Sequence, residues 1–171
     1  MGTLVKVMSG GQPGVERIAL EVAKEIGITT GGWAPPRFIT RDGVDYTLRT
    51  MFNLSDMITP RASFNMSLLM QKLRNVEFAS ATVMIDIGER ESRNIINRFE
   101  DDAFLVVLDS TREFTAVDMI AFIMVNRVVC LNILGSRKTL VTQAYKDRIR
   151  ALLRNVFATV KHLSLTYEDL D

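Results

Sequence analysis

A three-layer α/β/α sandwich around a mostly parallel sheet is the fold class that this sequence predicts. Three observations predict it. Short apolar runs alternate with amphipathic stretches along most of the 171 residues. The apolar runs are continuous rather than alternately apolar and polar, as strands covered on both faces are. The first run ends in a glycine-rich turn, Ser9-Gly10-Gly11-Gln12-Pro13-Gly14, that opens directly onto a helical pattern.

The elements follow in order. Leu4 to Met8 is short, apolar and partly β-branched, which predicts the first strand. In the next stretch Val15, Ile18, Ala19, Val22, Ala23 and Ile26 recur at three-and-four spacing, the signature of one buried helical face. Pro13 suits the first helical position, where its missing N–H costs nothing. Gly27 is a natural C-terminal stop. Ile28 and Thr29 begin a second strand that Gly31-Gly32-Trp33 is expected to end. Trp33 to Ser63 is irregular and holds three of the four prolines. A long irregular segment of this kind is often a binding loop or lid. Within it, Thr47 to Met57 is the place for a short helix. Asn65 to Leu73 reads as a helix with Met66, Leu69, Met70 and Leu73 inward.

The second half alternates more plainly. Strands are expected at Ala81 to Ile87, Phe104 to Leu108 and Val128 to Ile133. Helices are expected at Ser92 to Phe99, at Thr115 to Val125 with Thr115 as N-cap, and at Thr142 to Lys161. The last carries Tyr145, Ile149, Leu152, Leu153, Val156 and Val160 on one stripe. Tyr167 to Asp171 reads as an acidic tail. No repeat or linker divides the chain, so residues 1–171 are read as one domain of Rossmann type.

Composition removes several function classes. Lys plus Arg is 21 and Asp plus Glu is 20, so the net charge of +1 gives no global attraction for nucleic acid or anionic membranes. One cysteine (Cys130) and one histidine (His162) exclude an internal disulfide and a Cys/His zinc site within one chain. A carboxylate-only Mg²⁺ or Ca²⁺ site is not excluded. The apolar stretch Ala116 to Leu134 is interrupted by Asp118, Asn126 and Arg127, which argues against a membrane span. A soluble protein of the reducing cytoplasm is expected.

Three turns carry the candidate chemistry. Gly10, Gly11, Gln12 and Gly14 let the backbone bend tightly before a helix whose first N–H groups and dipole favour an anion. The loop is neither G-x-G-x-x-G nor a Walker A sequence, and a ligand-free β–α turn explains it as well. Gly31, Gly32 and Trp33 are expected at the same edge, with Trp33 either stacking on a planar ring or capping the core. Asn132 to Thr139, with Gly135, Ser136 and Arg137, offers an amide, a permissive glycine, hydroxyls and cations after the last strand; a solvated turn is the alternative. No Ser/His/Asp set follows from spacing, and no catalytic residue is assigned. Lys146, Arg150 and Arg154 form a basic helical stripe, either a solvated face or a polyanion-binding one. The nine methionines read mainly as core filler.

These residues resemble a family. Ser9-Gly10-Gly11-Gln12, Gly14, Arg17 and Ala19-Leu20 are similar to the S-G-G-Q-T-G-x-D-R-x-A-L opening of the putative molybdenum carrier proteins. Gly27-Ile28, Gly31-Gly32-Trp33, Pro35 and Asp42-Gly43 resemble the next block of that family. Arg74-Asn75-Val76 with Ser80 and Thr82 resembles its R-T-x-x-N-V-x-x-S-D-x-T. Asn132 to Arg137 resembles its late N-V-A-G-P-R. The matches run in order from about Ser9 to about Phe157, nearly the whole chain. The family belongs to a Rossmann-like superfamily that also contains the lysine-decarboxylase-like proteins. The resemblance implies a homo-oligomer, dimer or tetramer, that carries molybdenum cofactor or a related phosphorylated pterin or nucleotide-like anion. It implies a carrier rather than a known reaction. The ligand residues it implies are Gly10, Gly11, Gln12, Gly31, Gly32, Trp33, Asn75, Gly135 and Arg137. Pro13 stands where the family has Thr, Glu16 where it has Asp, and Gly88 to Arg93 where it has a second glycine-rich phosphate loop. Two alternatives accompany this expectation. One is a nucleotide phosphoribohydrolase, whose P-G-G-x-G-T-x-x-E motif is missing here. The other is an interaction module without a ligand.

Overall fold

A computed structural model describes residues 4–57, 62–86, 105–109, 116–135 and 142–168. Among these, six strands form one parallel sheet: β1 (Lys6–Met8), β2 (Thr29–Ala34), β5 (Leu54–Asp56), β6 (Ala81–Asp86), β7 (Leu105–Asp109) and β8 (Cys130–Gly135). Their order is β5-β2-β1-β8-β6-β7, and every pairing is parallel. A small antiparallel hairpin, β3 (Ile39–Thr40) and β4 (Gly43–Val44), stands apart from it. The helices are α1 (Val15–Ile26), α2 (Thr47–Thr50), α3 (Phe64–Phe78), α4 (Ala116–Val125) and α5 (Gln143–Glu168). No described helix is long and apolar enough to cross a membrane.

The sheet separates two kinds of packing. On one face, Val7, Val83, Ile85, Leu131 and Ile133 meet α1, α4 and α5 in the main apolar core. The neighbouring strand residues point the other way, because side chains alternate along a strand. There Met84 and Leu134 meet Val76 of α3. The result is the expected three-layer α/β Rossmann-like sandwich. The last helix packs as its stripe predicts, with Ile149, Leu153, Val156 and Val160 fully buried.

Several expectations are corrected. The second strand does not end at Gly31-Gly32-Trp33; it contains all three. Asn132 to Gly135 likewise lies inside β8 rather than after it. Helix α1 begins at Val15 with Gly14 as its N-cap, so Pro13 sits ahead of the helix rather than at its first position. Gly27 does close it, in the left-handed conformation at φ 79°. The segment read as irregular contains a 3-10 turn at Pro36–Phe38, the hairpin and the edge strand β5, and the α-helix expected over Thr47 to Met57 is only Thr47–Thr50.

The largest correction concerns α3. Met66 and Met70, expected inward, are 49% and 39% exposed, while Gln71, Lys72 and Asn75 are buried. Leu69 and Leu73, also expected inward, do pack, partly buried, against the Val76, Met84 and Leu134 cluster. The buried side combines Leu68 and Val76 with polar residues, of which Asn75 bonds the sheet edge at Trp33 and Lys72 pairs with Glu16 of α1. The basic stripe is also reassigned: Arg150 and Arg154 pair with Glu21 and Glu25 of α1, so they join two helices. The Arg154 guanidinium grips both Glu25 oxygens through Nε and Nη2 and holds the carboxyl below its ordinary range. His162 is exposed on α5.

Candidate functional site

The strand order reverses between β1 and β8. The chain leaves β1 for β2 on one side, and β8 later inserts on the other. Open parallel sheets bind ligands beyond the carboxyl ends of the strands at such a point. The Ser9–Gly14 loop and Gly135 lie there together. A methyl group on Gly135 would fall 2.6 Å from the Val15 side chain and 2.7 Å from the Ile85 carbonyl. Only glycine allows the start of α1 to approach β8 this closely.

The loop is held from within. The Ser9 N–H donates to the Gly31 carbonyl at 3.2 Å, the last bond before the chain leaves the sheet. The Ser9 hydroxyl donates to the Glu16 carbonyl at 3.0 Å and accepts the Gly11 N–H at 3.1 Å. The Gly10 N–H donates to Glu16 Oε1 at 3.2 Å. The backbone donors expected to be free for a ligand at Gly10 and Gly11 thus have internal acceptors. Gly11 adopts φ 73° and Gly14 φ 116°, conformations that side chains disfavour. Gln12 is buried; its Oε1 accepts the Arg41 N–H at 3.1 Å, and its Nε2 has no partner.

Asn75 completes the neighbouring strand. Where β1 departs, the Trp33 backbone of β2 loses its neighbour. The Asn75 side chain takes over, accepting the Trp33 N–H at 2.8 Å and donating to its carbonyl at 3.0 Å. Gly32, at φ 122°, leaves room for this arrangement. A methyl group there would lie 2.6 Å from the Ser9 carbonyl and 2.8 Å from Asn75 Oδ1. The Trp33 ring is engaged on α3, with the Phe78 ring centroid at 4.5 Å and the Arg74 guanidinium 5.0 Å over it. The structure therefore brings Gly10, Gly11, Gln12, Gly14, Gly31, Gly32, Trp33, Asn75 and Gly135 to one edge. Ser136, Arg137 and the segment Gly88 to Arg93 lie outside the described residues.

Beside the loop opens a pocket of about 330 Å³ lined by Gly11, Pro13, Arg17, Thr40, Asp42, Gly43, Val44 and Asp45. Its floor is the start of α1 and its wall is the hairpin. The Arg17 guanidinium reaches Asp45 Oδ2 at 2.7 Å, Thr47 Oγ1 at 3.0 Å and Glu21 Oε1 at 3.2 Å, and lies 4.6 Å over the Phe52 ring. The pocket thus presents one cation and two carboxylates. This wall lies in the Trp33 to Ser63 segment, read as an irregular stretch of the binding-loop or lid kind; the hairpin within it has no local pattern that announces it. Gln71 and Lys72, which touch the loop from α3, were missed because nothing local marks a polar helix face as buried.

Residues 7–157 match the model of the circularly permuted YpsA SLOG family. The chain belongs to that family. It is also similar in fold to a crystal structure from Syntrophus aciditrophicus described as a putative molybdenum carrier protein. That likeness has a TM-score of 0.69 and 23% identity, and it covers 91% of this chain and 96% of the other. No curated protein sequence matches. The family model agrees with the expected Rossmann-like superfamily related to the lysine-decarboxylase-like proteins, and the structural likeness agrees with the expected fold.

Proposed function

We propose that this chain is a one-domain carrier-like binding protein for a small phosphorylated pterin or nucleotide-like anion, molybdenum cofactor among them. The ligand is held at the carboxyl edge of the sheet. The observation that carries the reading is the meeting of three glycine-bearing segments at the strand-order reversal, next to a pocket lined by Arg17, Asp42 and Asp45. The chemistry of that lining fits such a molecule. A guanidinium recognises a phosphate or other oxyanion, while carboxylates accept from the ring N–H groups of a pterin or the hydroxyls of a ribose. Arg17 would turn from Asp45 to the anionic group, and Asp42 and Asp45 would fix the polar ring or sugar. Gly10, Gly11, Gln12 and Gly14 set the backbone close to the ligand, Asn75 fixes the strand that carries Gly31, Gly32 and Trp33, and Gly135 closes the site from β8; Ser136 and Arg137, which lie outside the described residues, are the further candidates. Molybdenum, where present, travels on the ligand; no group of three or more His, Cys, Asp or Glu residues suited to a metal occurs among the described residues.

Thermal-shift and native mass spectrometry with molybdate, pterins, mononucleotides and ADP-ribose test the reading. A saturable shift with at least one of these, weakened by Arg17→Ala and Arg137→Ala, is expected. No shift with any of them refutes it.

A second reading is favoured by a separate observation. The surfaces of Gly10, Gly11 and Gly32 are met by Gln71, Leu48 and Asn75, so these glycines also serve close packing. A non-catalytic interaction module would use them that way alone. Exposed Met66, Met70 and Phe78 on α3 would then supply a contact face for a second copy. Sedimentation that reports a dimer or tetramer whose mass shifts on Met70→Glu, with no ligand bound, would favour this second reading.

A further inference from the structure

Helix α3 presses an arrangement onto the loop that the neighbouring pocket does not contain. Gln71 and Lys72 are consecutive and both buried, at 0% and 6% exposure. The Lys72 ammonium pairs with Oε2 of Glu16, whose other oxygen accepts the Gly10 N–H. The Gln71 amide lies on the α-carbon of Gly10, so close that a methyl group there would fall 2.0 Å from Nε2. Neither Nε2 nor Oε1 of Gln71 has a partner.

Two physical points follow. A buried amide that leaves its donor and its acceptor both unpaired costs stability, so the position is poorly explained by packing alone. A carboxylate on a glycine-loop N–H, with an ammonium on its second oxygen, makes the contacts that an oxyanion makes in such loops. We propose that the Gly10 N–H, Gln71 and Lys72 form an oxyanion subsite whose resident in the ligand-free chain is the Glu16 carboxylate. A phosphate ester or molybdate displaces it. The incoming oxyanion accepts from Gly10 N, Lys72 Nζ and Gln71 Nε2, and the Gln71 Oε1 takes a proton-bearing oxygen of a phosphate ester. Glu16 stays in the first turn of α1, where the helix dipole favours its charge. No bond is made or broken; one anion replaces another. The proposal rests on the reading that this edge binds a small anion and names the side chains that would do so.

The experiment compares wild type, Glu16→Gln, the double variant Glu16→Gln/Lys72→Met, and Gln71→Leu by calorimetric titration. The probes are inorganic phosphate, sodium molybdate and a nucleoside monophosphate at constant ionic strength. Removing the resident carboxylate should tighten binding of phosphate or molybdate by at least about tenfold, a gain that the added Lys72→Met change abolishes. Gln71→Leu should weaken binding several-fold in the wild-type background. Nucleoside monophosphate preferred over molybdate assigns the phosphate ester, and the reverse assigns the metal oxyanion. A folded Glu16→Gln protein with wild-type affinity overturns the subsite, as does a gain that survives Lys72→Met. If Glu16→Gln does not fold, Gln71→Leu decides: unchanged affinity overturns the proposal. Wild type that binds a probe with affinity indifferent to Gln71 and Lys72 removes the subsite and leaves the edge reading standing. Failure of every protein to bind any probe removes both.

Discussion

Replacing Asn75 by Ala should destabilise the protein through the backbone of Trp33 rather than through lost packing alone. The Asn75 amide makes both hydrogen bonds that β1 would have made had it continued past Ser9. Each such bond contributes about 1 kcal/mol net, and each backbone group left buried without a partner costs about 1–3 kcal/mol. Because Trp33 is half-buried, water can reach part of its backbone, so the lower half of that range applies. The expected loss is about 2–4 kcal/mol. For a chain of this size each kcal/mol lowers the melting temperature by about 2–4 °C, so a loss near the middle corresponds to about 6–12 °C. Urea denaturation followed by circular dichroism measures it. Trp33 is the only tryptophan, so its fluorescence reports the same site directly. Asn75→Asp should cost no less, since it keeps the acceptor for the Trp33 N–H but turns an oxygen towards the Trp33 carbonyl. A loss below about 0.5 kcal/mol, in the range of an ordinary surface substitution, with unaltered Trp33 emission, would refute the idea that this side chain substitutes for a strand.

Three further outcomes are expected. Gly135→Ala should destabilise by about 1–3 kcal/mol, because the added methyl meets the Val15 side chain and the Ile85 backbone, neither a flexible side-chain end; chemical denaturation checks this. Phe157→Ala, at a fully buried position of α5, should cost about 3–5 kcal/mol by the same measurement. Burial pushes the Cys130 thiol up from its ordinary value of 9.0, with Lys6 and a backbone bond involving Ser80 opposing the shift. The folded thiol therefore keeps its proton to higher pH than the unfolded one. Stability from this source is present below about pH 9 and declines as the pH rises through the folded value. Urea midpoints at rising alkaline pH should fall more steeply for wild type than for Cys130→Ala.

The sequence by itself determined the layers. Continuous apolar runs such as Ala81–Asp86 must be covered on both faces, and the α1 and α5 stripes name the residues that cover one of them. It also marked Gly10, Gly14 and Gly32 as turn positions, by the glycine-rich runs around them. The tertiary structure alone decided what those glycines meet. Glu16 and Lys72 are 56 residues apart, and Asn75 and Trp33 are 42 apart, so no local pattern joins them. The side of α3 that is buried was decided in the same way. Its apolar residues suggest one face, yet Gln71, Lys72 and Asn75 turn inward, Asn75 to bond the Trp33 backbone that β1 leaves and Lys72 to pair with Glu16. Periodicity records how often a side chain avoids water, whereas a polar site is built where unpaired backbone groups from distant strands converge, and that convergence exists only once the sheet has formed.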